Sequence, residues 1–404
     1  MRLHRNLVYT TIDSLMAIYN NGDYADKVVA LALKKDKRWG SHDRKFVAET
    51  IYEMVRWKRL YAEIAEVKEP YTRDNIWRMF AVWATLRGYP IPDWTQLQDV
   101  PVRKIKGKFD ELSKVRKLRE SIPDWMDALG EKELGNEVWN KEIAAQNLPA
   151  KVILRVNTLK TTKEKLRAIL MDIDIETIVD KDYPDALILK ERANVFLTDA
   201  FKDGLFEVQD ASSQLVAAFL EVEPGMRVVD TCAGAGGKTL HLASMMQNKG
   251  QIIAMDLYES KMKQLKIRAK RNAAFNIEYR IIDSTKVIKK LYDKADRVLI
   301  DAPCSGLGVL KRNPDSKWKL QPEFIENIKK TQQELLQNYS KIVKVGGKLV
   351  YATCSILPSE NNLQIKQFLE TETGKNFKFI KDQSIFSHIS GFDGFYMALL
   401  ERIN

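Results

Sequence analysis

The 404-residue chain has only three cysteines and four histidines. An odd number of cysteines without framework spacing argues against a disulfide scaffold and predicts a reducing, cytoplasmic environment. The histidines are scattered and no Cys-x-x-Cys motif occurs, so we expect no metal site. No apolar run approaches the roughly 18 residues that a membrane span needs, and the first residues lack the apolar core of a signal peptide.

The composition is that of a globular protein with an excess of basic residues. Hydrophobic residues make up 45% of the chain and charged residues 29%, which is enough apolar material for sizeable cores. A chain of this length exceeds one ordinary domain, so two or three domains are expected. The formal net charge of +11 indicates a polyanionic partner, although charge alone does not separate RNA from DNA or from a generally basic proteome.

The first part of the chain, residues 1–120, is predicted to be a helical domain. Apolar residues recur there at helical spacing, for example at Leu7 and Leu15. Within it, segment 101–119 is strongly basic, and two interpretations stay open. The segment is either a solvated helix or linker, or a surface that contacts the phosphates of a nucleic acid. A second basic segment, 261–271, is expected to be only the solvated face of a crossover helix.

Changes in pattern define three further regions. Residues 121–149 are polar and are predicted to be a linker. Residues 150–207 contain two short apolar runs on either side of a helical segment, which predicts a small α+β domain. From residue 208 to 404, apolar runs alternate with helical segments, the pattern of a doubly wound parallel sheet of the α/β class. The predicted strands of that sheet are 227–230, 251–255, 279–282, 297–300 and 348–352.

Two of the three cysteines closely follow predicted strands of this sheet. Cys304 lies in Asp-Ala-Pro-Cys-Ser-Gly after the strand 297–300, and Cys354 lies in Thr-Cys-Ser after the strand 348–352. Ligands of open α/β sheets bind at the carboxyl ends of the strands. A single free cysteine is more often a small buried hydrophobe. Two cysteines that each follow the end of a strand and each precede a serine favour a chemical role instead.

A glycine-rich loop, residues 231–239, joins the first strand of the sheet to a helix. Glycines allow close approach of a ligand, and a helix start offers free N–H groups. A Walker loop would need glycine where Cys232 stands, and a dinucleotide fingerprint would need glycine where Thr239 stands. Both phosphate-binding motifs therefore fail, and an adenosyl cofactor bound without a phosphate contact remains.

Acidic residues end four consecutive predicted strands of the same sheet. Asp256 is expected to hold the ribose of the cofactor, Asp283 to reach the edge of the adenine, and Asp301 to lie near the reacting centre. An aspartate at a strand end often only caps the following helix. Four in succession, with Asp230 as the first, form a pattern that capping explains poorly.

Several short motifs between residues 155 and 404 are more specific than any of these features. They are Arg155-Val-Asn-Thr158, Gln209-Asp-Ala-Ser-Ser-Gln214, Cys232-Ala-Gly-Ala-Gly-Gly-Lys-Thr239, Asp301-Ala-Pro-Cys-Ser-Gly306, Arg312-Asn-Pro-Asp315 with Lys317-Trp318, Thr353-Cys-Ser355 with Glu360-Asn361, and Asp393-Gly-Phe395. Together they resemble the RsmB/NSUN family of S-adenosylmethionine-dependent RNA cytosine-5 methyltransferases. The resemblance implies a Rossmann-like class I methyltransferase core over residues 208–404 and an RNA-binding role for the domain 150–207. Residues 1–120 resemble the NusB-like RNA-binding domain found in this family.

The resemblance also implies a role for each site residue. Cys354 is the nucleophile that attacks the base, and Cys304 assists release of the product. DNA cytosine-5 methyltransferases use the Pro-Cys thiol instead, which would invert the two roles. Asp301 is expected to contact the base, and Lys238 to orient Asp301 and lower the pKa of the thiols. The cofactor is S-adenosylmethionine, bound by Cys232, Ala233, Gly234, Ala235, Gly236, Gly237, Lys238, Asp256, Asp283 and Asp301.

The substrate that the resemblance implies is a cytosine of small-subunit (16S) rRNA, with tRNA as the alternative. The target base must leave its stack to meet two thiols, so base flipping or a single-stranded loop is required. A non-catalytic RNA-binding assembly factor would have no need of both cysteines, and a NAD-dependent enzyme would need the missing phosphate fingerprint. We therefore expect a cytoplasmic enzyme that acts as a monomer on RNA, without a membrane or a metal.

Overall fold

A computed structural model describes residues 3–404 of the chain, which forms two compact units. The helical unit comprises the chain up to Leu148 together with residues 310–322. The sheet unit comprises residues 149–309 and 323–404. Among the residues described, no helix is both long enough and apolar enough to span a membrane.

The helical unit is built from amphipathic helices around one apolar core. Buried residues recur at helical spacing, as at Leu7, Thr11 and Leu15 of the first helix. Trp77 packs edge-on against Phe80 inside the core. The helices are α1 (Arg5–Asn20), α2 (Ala25–Ala32), α3 (Ser41–Arg56), α4 (Lys58–Ala65), α5 (Arg73–Leu86), α6 (Val102–Leu112), α7 (Arg116–Arg119), α8 (Asp124–Leu134) and α9 (Asn136–Gln146). The prediction of a helical N-terminal region is confirmed.

The segment 121–149 is not the linker that its polar composition predicted, because it forms the two helices α8 and α9. Trp139 of α9 is fully buried, and its indole Nε1 donates a hydrogen bond of 2.8 Å to Asp127 of α8. Gly130 leaves room for that ring, since a Cβ there would lie 2.3 Å from its atoms. One buried aromatic side chain thus holds two otherwise polar helices together, a contact that sequence periodicity does not reveal.

The basic segment 101–119 forms α6 and α7, and much of its charge is paired within the helical unit. Lys104 and Lys108 both form ion pairs with the carboxylate of Glu66, and the Nζ atom of Lys104 lies 2.8 Å from its Oε2 atom. Arg116 binds two carboxylates of α8, one of them at 2.7 Å. The pairs on the exposed carboxylate of Glu66 contribute little to stability. They do leave fewer cations free for phosphates, which favours the interpretation of this segment as a solvated helix.

The sheet unit begins with a small antiparallel sheet of four strands. Its elements are β1 (Ile153–Val156), α10 (Lys163–Met171), β2 (Thr177–Ile178), β3 (Ala186–Leu189), α11 (Asp199–Lys202) and β4 (Phe206–Val208). The strand order is β2-β3-β1-β4. The apolar runs predicted β1 and β3, whereas β2 and β4 have two and three residues and give no periodic signal. Arg155 of β1 pairs in register with Glu207 of β4.

A seven-stranded sheet forms the remainder of this unit. Its strands are β5 (Arg227–Asp230), β6 (Gln251–Asp256), β7 (Ile277–Ile281), β8 (Ala295–Asp301), β9 (Val343–Thr353), β10 (Phe377–Ile385) and β11 (Phe395–Arg402). The helices of this part of the chain are α12 (Ala211–Phe219), α13 (Gly237–Met245), α14 (Glu259–Asn272), α15 (Thr285–Lys289), α16 (Ser316–Lys319), α17 (Pro322–Tyr339), α18 (Asn362–Leu369) and α19 (Ser387–Ser390), of which α16 belongs to the helical unit. The strand order is β10-β11-β9-β8-β5-β6-β7, and β5 to β9 are parallel as predicted.

Two strands that the sequence patterns did not predict, β10 and β11, run antiparallel at one edge of the sheet. β10 is exposed along most of its length, so its sequence lacks the apolar run that marks a buried strand. β11 is buried between β9 and β10. Two apolar clusters, one on each side of the sheet, complete the Rossmann-like arrangement that the alternating pattern predicted.

Candidate active site

The carboxyl edge of the parallel strands gathers the predicted site residues in the order of those strands. Cys354 and Cys304 follow the adjacent strands β9 and β8, and the glycine-rich loop follows β5. Asp256 ends β6, and Asp283 lies just beyond β7 at the far edge. The topology therefore separates a thiol half, after β8 and β9, from a loop-and-acid half, after β5, β6 and β7.

The two strand-end cysteines lie directly against each other. The Sγ atoms of Cys304 and Cys354 are 3.1 Å apart, and both side chains are half-buried. The hydrogen bond with Cys354, together with burial, raises the pKa of Cys304 well above its ordinary range. Cys304 is therefore held as a neutral thiol beside the Cys354 sulfur, so the two cysteines are not equivalent.

A largely buried ion pair accompanies the thiols. Lys238, at the start of α13, places its Nζ atom 2.6 Å from Oδ2 of Asp301, which ends β8. Burial favours the neutral amine, but the charge and hydrogen bond of Asp301 outweigh it and raise the pKa of Lys238. Cys354 is a smaller contributor to the raised pKa of Lys238, so its side chain lies within electrostatic reach of this cation. The Lys238 cation lies 5.3 Å from the centroid of the Phe395 ring.

Sequence reasoning assigned no role to Glu360, which is completely buried. Its carboxylate accepts hydrogen bonds from the Ser305 N–H at 2.8 Å, from the Ser305 hydroxyl and from the Ser355 hydroxyl at 2.6 Å. Gln332 Nε2 donates a further bond of 3.1 Å. Ser305 and Ser355 each directly follow a cysteine, so one carboxylate joins the two cysteine-bearing turns. The repeated Cys-Ser pair was the signal that could have pointed to a shared acceptor.

The glycine-rich loop has the shape that close approach of a ligand requires. Gly234 and Gly236 adopt φ angles of +54° and +89°, in the left-handed region that favours glycine. A Cβ at Gly234 would meet no atom within 4 Å, so that side of the loop is open. Gly234 N donates a hydrogen bond of 2.9 Å to Asp256 Oδ2, and Ala233 N donates to the Met255 carbonyl. An open loop beside a carboxylate, without a phosphate motif, fits an adenosyl group held through its ribose.

Two of the predicted cofactor residues differ from the others in their surroundings. Burial raises the pKa of the Cys232 thiol, whose side chain packs against one of the apolar clusters of the sheet. Asp283 is exposed, and its carboxylate accepts a hydrogen bond of 3.0 Å from the Ser284 hydroxyl. A contact of Asp283 with the adenine edge stays a prediction.

Asp230, at the end of β5, is buried next to the loop and titrates abnormally. Burial raises its pKa from 3.8 to about 7, against the opposing effect of a 2.7 Å hydrogen bond from the Thr239 hydroxyl. Because the pKa is higher in the folded state, folding takes up a proton between these values. The resulting stabilisation is complete below pH 3.8 and is lost as the pH rises through about 7.

The Asp230→Asn variant is expected to gain stability relative to the wild type as the pH rises across that interval. The gain is about 1.4 kcal/mol per pH unit, since the carboxyl ionises in the unfolded chain but must stay protonated in the folded protein, whereas the amide does not titrate. Denaturant unfolding of both proteins at pH 5 and pH 7 measures it, with the exposed Asp283→Asn variant as the matched control. If the free energy of unfolding of Asp230→Asn differed from that of the wild type by the same amount at both pH values, the raised pKa of Asp230 would be contradicted.

Comparisons with known proteins agree on one family. The model of 16S rRNA methyltransferase RsmB/F matches residues 217–401, and the model of the RsmF/B-like ferredoxin-like domain matches residues 122–196. The chain is 34% identical over 298 residues to the probable ribosomal RNA small subunit methyltransferase B of Synechocystis sp., covering 70% of this chain and 67% of that protein. It is 30% identical over 329 residues to the probable ribosomal RNA small subunit methyltransferase B of Bacillus subtilis, covering 77% and 70%. The chain belongs to the RsmB/F methyltransferase family.

The matched region spans about two thirds of these relatives, as it does of the ribosomal RNA small subunit methyltransferase B of Vibrio cholerae, of which it covers 66% at 33% identity. The ferredoxin-like domain model begins at residue 122, inside the segment that was predicted to be a linker. Membership of the family confirms a methyltransferase and the predicted cofactor, S-adenosylmethionine.

Solved structures show the same fold. The crystal structure of PH0851 superimposes with a TM-score of 0.81 at 25% identity and covers the whole of both chains. NSun6 from Pyrococcus horikoshii with SFG gives a TM-score of 0.64 at 21% identity and covers 70% of this chain and 98% of that one. The Rossmann-like prediction for the core is confirmed.

Proposed function

We propose that this methyltransferase modifies carbon 5 of a cytosine in RNA, with 16S (small-subunit) rRNA as the substrate. The 3.1 Å contact between Cys304 Sγ and Cys354 Sγ, at adjacent strand ends, carries the proposal. The family match to small-subunit rRNA methyltransferases supports the choice of rRNA over tRNA, the alternative substrate for the same chemistry. A non-catalytic RNA-binding assembly factor would have no use for two thiols in contact.

The pair of thiols suits the chemical difficulty of the reaction. Carbon 5 of cytosine is too weak a nucleophile to take a methyl group unaided, but a thiolate that adds to carbon 6 makes it enamine-like. S-adenosylmethionine, when bound, supplies the electrophilic methyl group. The proton on carbon 5 then leaves, its electron pair restores the double bond between carbons 5 and 6, and the carbon–sulfur bond breaks to return the thiolate.

The electrostatics of the site support Cys354 as the nucleophile. Cys354 lies within electrostatic reach of the Lys238 cation, whereas the hydrogen bond with Cys354 and burial raise the pKa of Cys304, so that Cys304 keeps its proton. Cys304 then stands as a hydrogen-bond donor beside the sulfur that must depart, which promotes release of the product. Asp301, oriented by Lys238 at 2.6 Å, is the group that contacts the polar edge of the base.

The loop-and-acid half of the site is suited to hold S-adenosylmethionine. The glycine-rich loop is open at Gly234, where the cofactor needs space. In this assignment the carboxylate of Asp256, beside the loop, accepts hydrogen bonds from the ribose hydroxyls. Asp283 faces the adenine in this assignment. The enzyme acts in the cytoplasm, as a monomer, on a flipped or single-stranded cytosine, and residues 1–120 contribute the NusB-like contact with RNA.

Release of tritium from RNA labelled at carbon 5 of cytosine tests the reaction. The hydrogen on that carbon is lost when the carbon is methylated, so we expect cofactor-dependent release from 16S rRNA, with one tritium lost per methyl group gained. Labelled tRNA run in parallel tests the alternative substrate. Methyl transfer to 16S rRNA without tritium release would exclude carbon 5 as the site, and release from tRNA alone would exclude 16S rRNA as the substrate.

A further inference from the structure

The backbone of the glycine-rich loop is held by two arginines that lie outside the loop. Arg268 of α14 donates a hydrogen bond of 2.6 Å from Nη1 to the carbonyl of Ala235, and Arg155 of β1 donates from Nη1 to the carbonyl of Gly237. Hydrogen bonds from charged donors are the strong ones in proteins. The turn at Ala235 and the start of α13 at Gly237 are thereby tied to β1, in the domain expected to bind RNA, and to α14, which was expected to face solvent.

Arg155 is too deeply buried to be an incidental contact. Only 1% of its surface is exposed, and this burial lowers its pKa to about 10. Its Nη1 atom also donates a hydrogen bond to the side-chain carbonyl of Gln209. The amide Nε2 of Gln209 in turn donates a bond of 3.1 Å to the Ser213 hydroxyl. A buried guanidinium is destabilising unless its hydrogen bonds and charge are matched. The Arg155 cation therefore requires a nearby anion.

Glu207, the in-register partner of Arg155, supplies that negative charge through space, while its hydrogen bonds go to residues of α14. Its carboxylate, 3% exposed, accepts a bond of 2.9 Å from Arg268 Nη2 and further bonds from Arg271 Nη2 and Asn272 Nδ2. Burial alone would raise the pKa of Glu207, but the charges of Arg268 and Arg271 outweigh it and lower the pKa. The carboxylate thus stays ionised and fixes the orientation of the guanidinium that reaches Ala235.

We propose that Arg155, Arg268 and Glu207 form a positioning clamp that sets the shape of the glycine-rich loop for the cofactor. The small sheet then serves S-adenosylmethionine binding through its strands β1 and β4, in addition to any contact it makes with RNA. The geometry corrects the expectation for two residues of segment 261–271, because Arg268 and Arg271 pair with the buried Glu207, while the other basic residues of the segment are exposed as expected. The proposal rests on the assignment of this loop to the cofactor.

The variant Arg268→Gln tests the clamp without emptying the core, since 24% of the Arg268 side chain is exposed. We expect the Kd for S-adenosylmethionine, measured by calorimetry without RNA, to rise about tenfold or more, as loss of a charged hydrogen bond predicts. At saturating cofactor, kcat and the affinity for 16S rRNA stay near the wild-type values. Arg268→Lys, which keeps one donor, is expected to recover part of the affinity.

Two variants of the same helix separate positioning from stability and from surface charge. Arg271→Gln also removes a partner of Glu207 but no contact with the loop, so it is expected to lower stability and leave the Kd for S-adenosylmethionine unchanged. Lys266→Gln removes an exposed charge and is expected to leave both the stability and the Kd for S-adenosylmethionine unchanged. The proposal is overturned if Arg268→Gln binds the cofactor like the wild type, or if Arg271→Gln weakens cofactor binding equally. Failure of the wild type to bind S-adenosylmethionine would instead refute the cofactor site itself.

Discussion

Replacing Cys304 by alanine is expected to leave the protein joined to its RNA after reaction with S-adenosylmethionine. The Cys354 thiol, Lys238 and Asp301 remain in place in that variant, so the carbon–sulfur bond with cytosine forms as before. The thiol that contacts the departing sulfur at 3.1 Å is gone, which slows cleavage of that bond. The product is a protein–RNA complex that survives a denaturing gel, seen as a shifted band whose formation requires cofactor.

The matched variant Cys354→Ala is expected to form no such complex, because it lacks the attacking sulfur. Its rate of methyl transfer is expected to fall by at least about 10³-fold, the scale of losing a covalent nucleophile. A shifted band from Cys354→Ala and none from Cys304→Ala would invert the two roles. Absence of a band from Cys304→Ala while the wild type methylates RNA would refute the role of Cys304 in release.

The residues at the strand ends could be predicted because their signals are local. A parallel strand buried on both faces is a short continuous apolar run, and β5 ends at Asp230 as that run predicted. Each candidate residue follows such a run within a few positions, so the right-handed topology brings them to one edge. The same reasoning failed for β10, whose exposed face carries no apolar run.

The partners of these residues could not be predicted, because the contacts join distant parts of the chain. Nothing near Glu360 indicates that its carboxylate meets Ser305, and nothing near Arg268 indicates the carbonyl of Ala235. The two helices of segment 121–149 depend on one buried ring, that of Trp139. Sequence patterns thus predict which face of an element is buried, whereas the hydrogen-bond partner of a buried polar group depends on the assembled fold.

Removing the charge of Glu360 is expected to have the second largest effect on the reaction. Its two carboxylate oxygens accept four hydrogen bonds, two of them from the N–H of Ser305 and from Gln332 Nε2 to the same oxygen. In Glu360→Gln, the amide oxygen can keep the bonds from the Ser305 N–H and Gln332 Nε2, and the NH₂ group then faces the hydroxyls of Ser305 and Ser355, which must turn from donating to accepting. The turns that carry Cys304 and Cys354 then lose their common acceptor.

We expect kcat of Glu360→Gln to fall by about 10²-fold, while the Kd for S-adenosylmethionine is unchanged because the glycine-rich loop lies on other strands. Stability is expected to fall by about 1–3 kcal/mol, the scale of losing hydrogen bonds to a charged buried acceptor. Glu326→Gln on α17, which removes an exposed carboxylate paired with Lys329, is the control and keeps full activity. Equal kcat values for the two variants would refute a positioning role.

The thiol of Cys304 offers a readout that a purely structural Glu360 would not move. The hydrogen bond with Cys354 and burial are the larger causes of its raised pKa, and the negative charge of Glu360 raises it further. In a Cys354→Ser background, Glu360→Gln is therefore expected to shift the pH profile of Cys304 alkylation by iodoacetamide to lower pH. An unchanged profile would mean that Glu360 holds the two turns together without tuning the thiol. A shift to lower pH would show that Glu360 contributes, beside burial, to keeping Cys304 protonated while Cys354 attacks, as the proposed reaction requires.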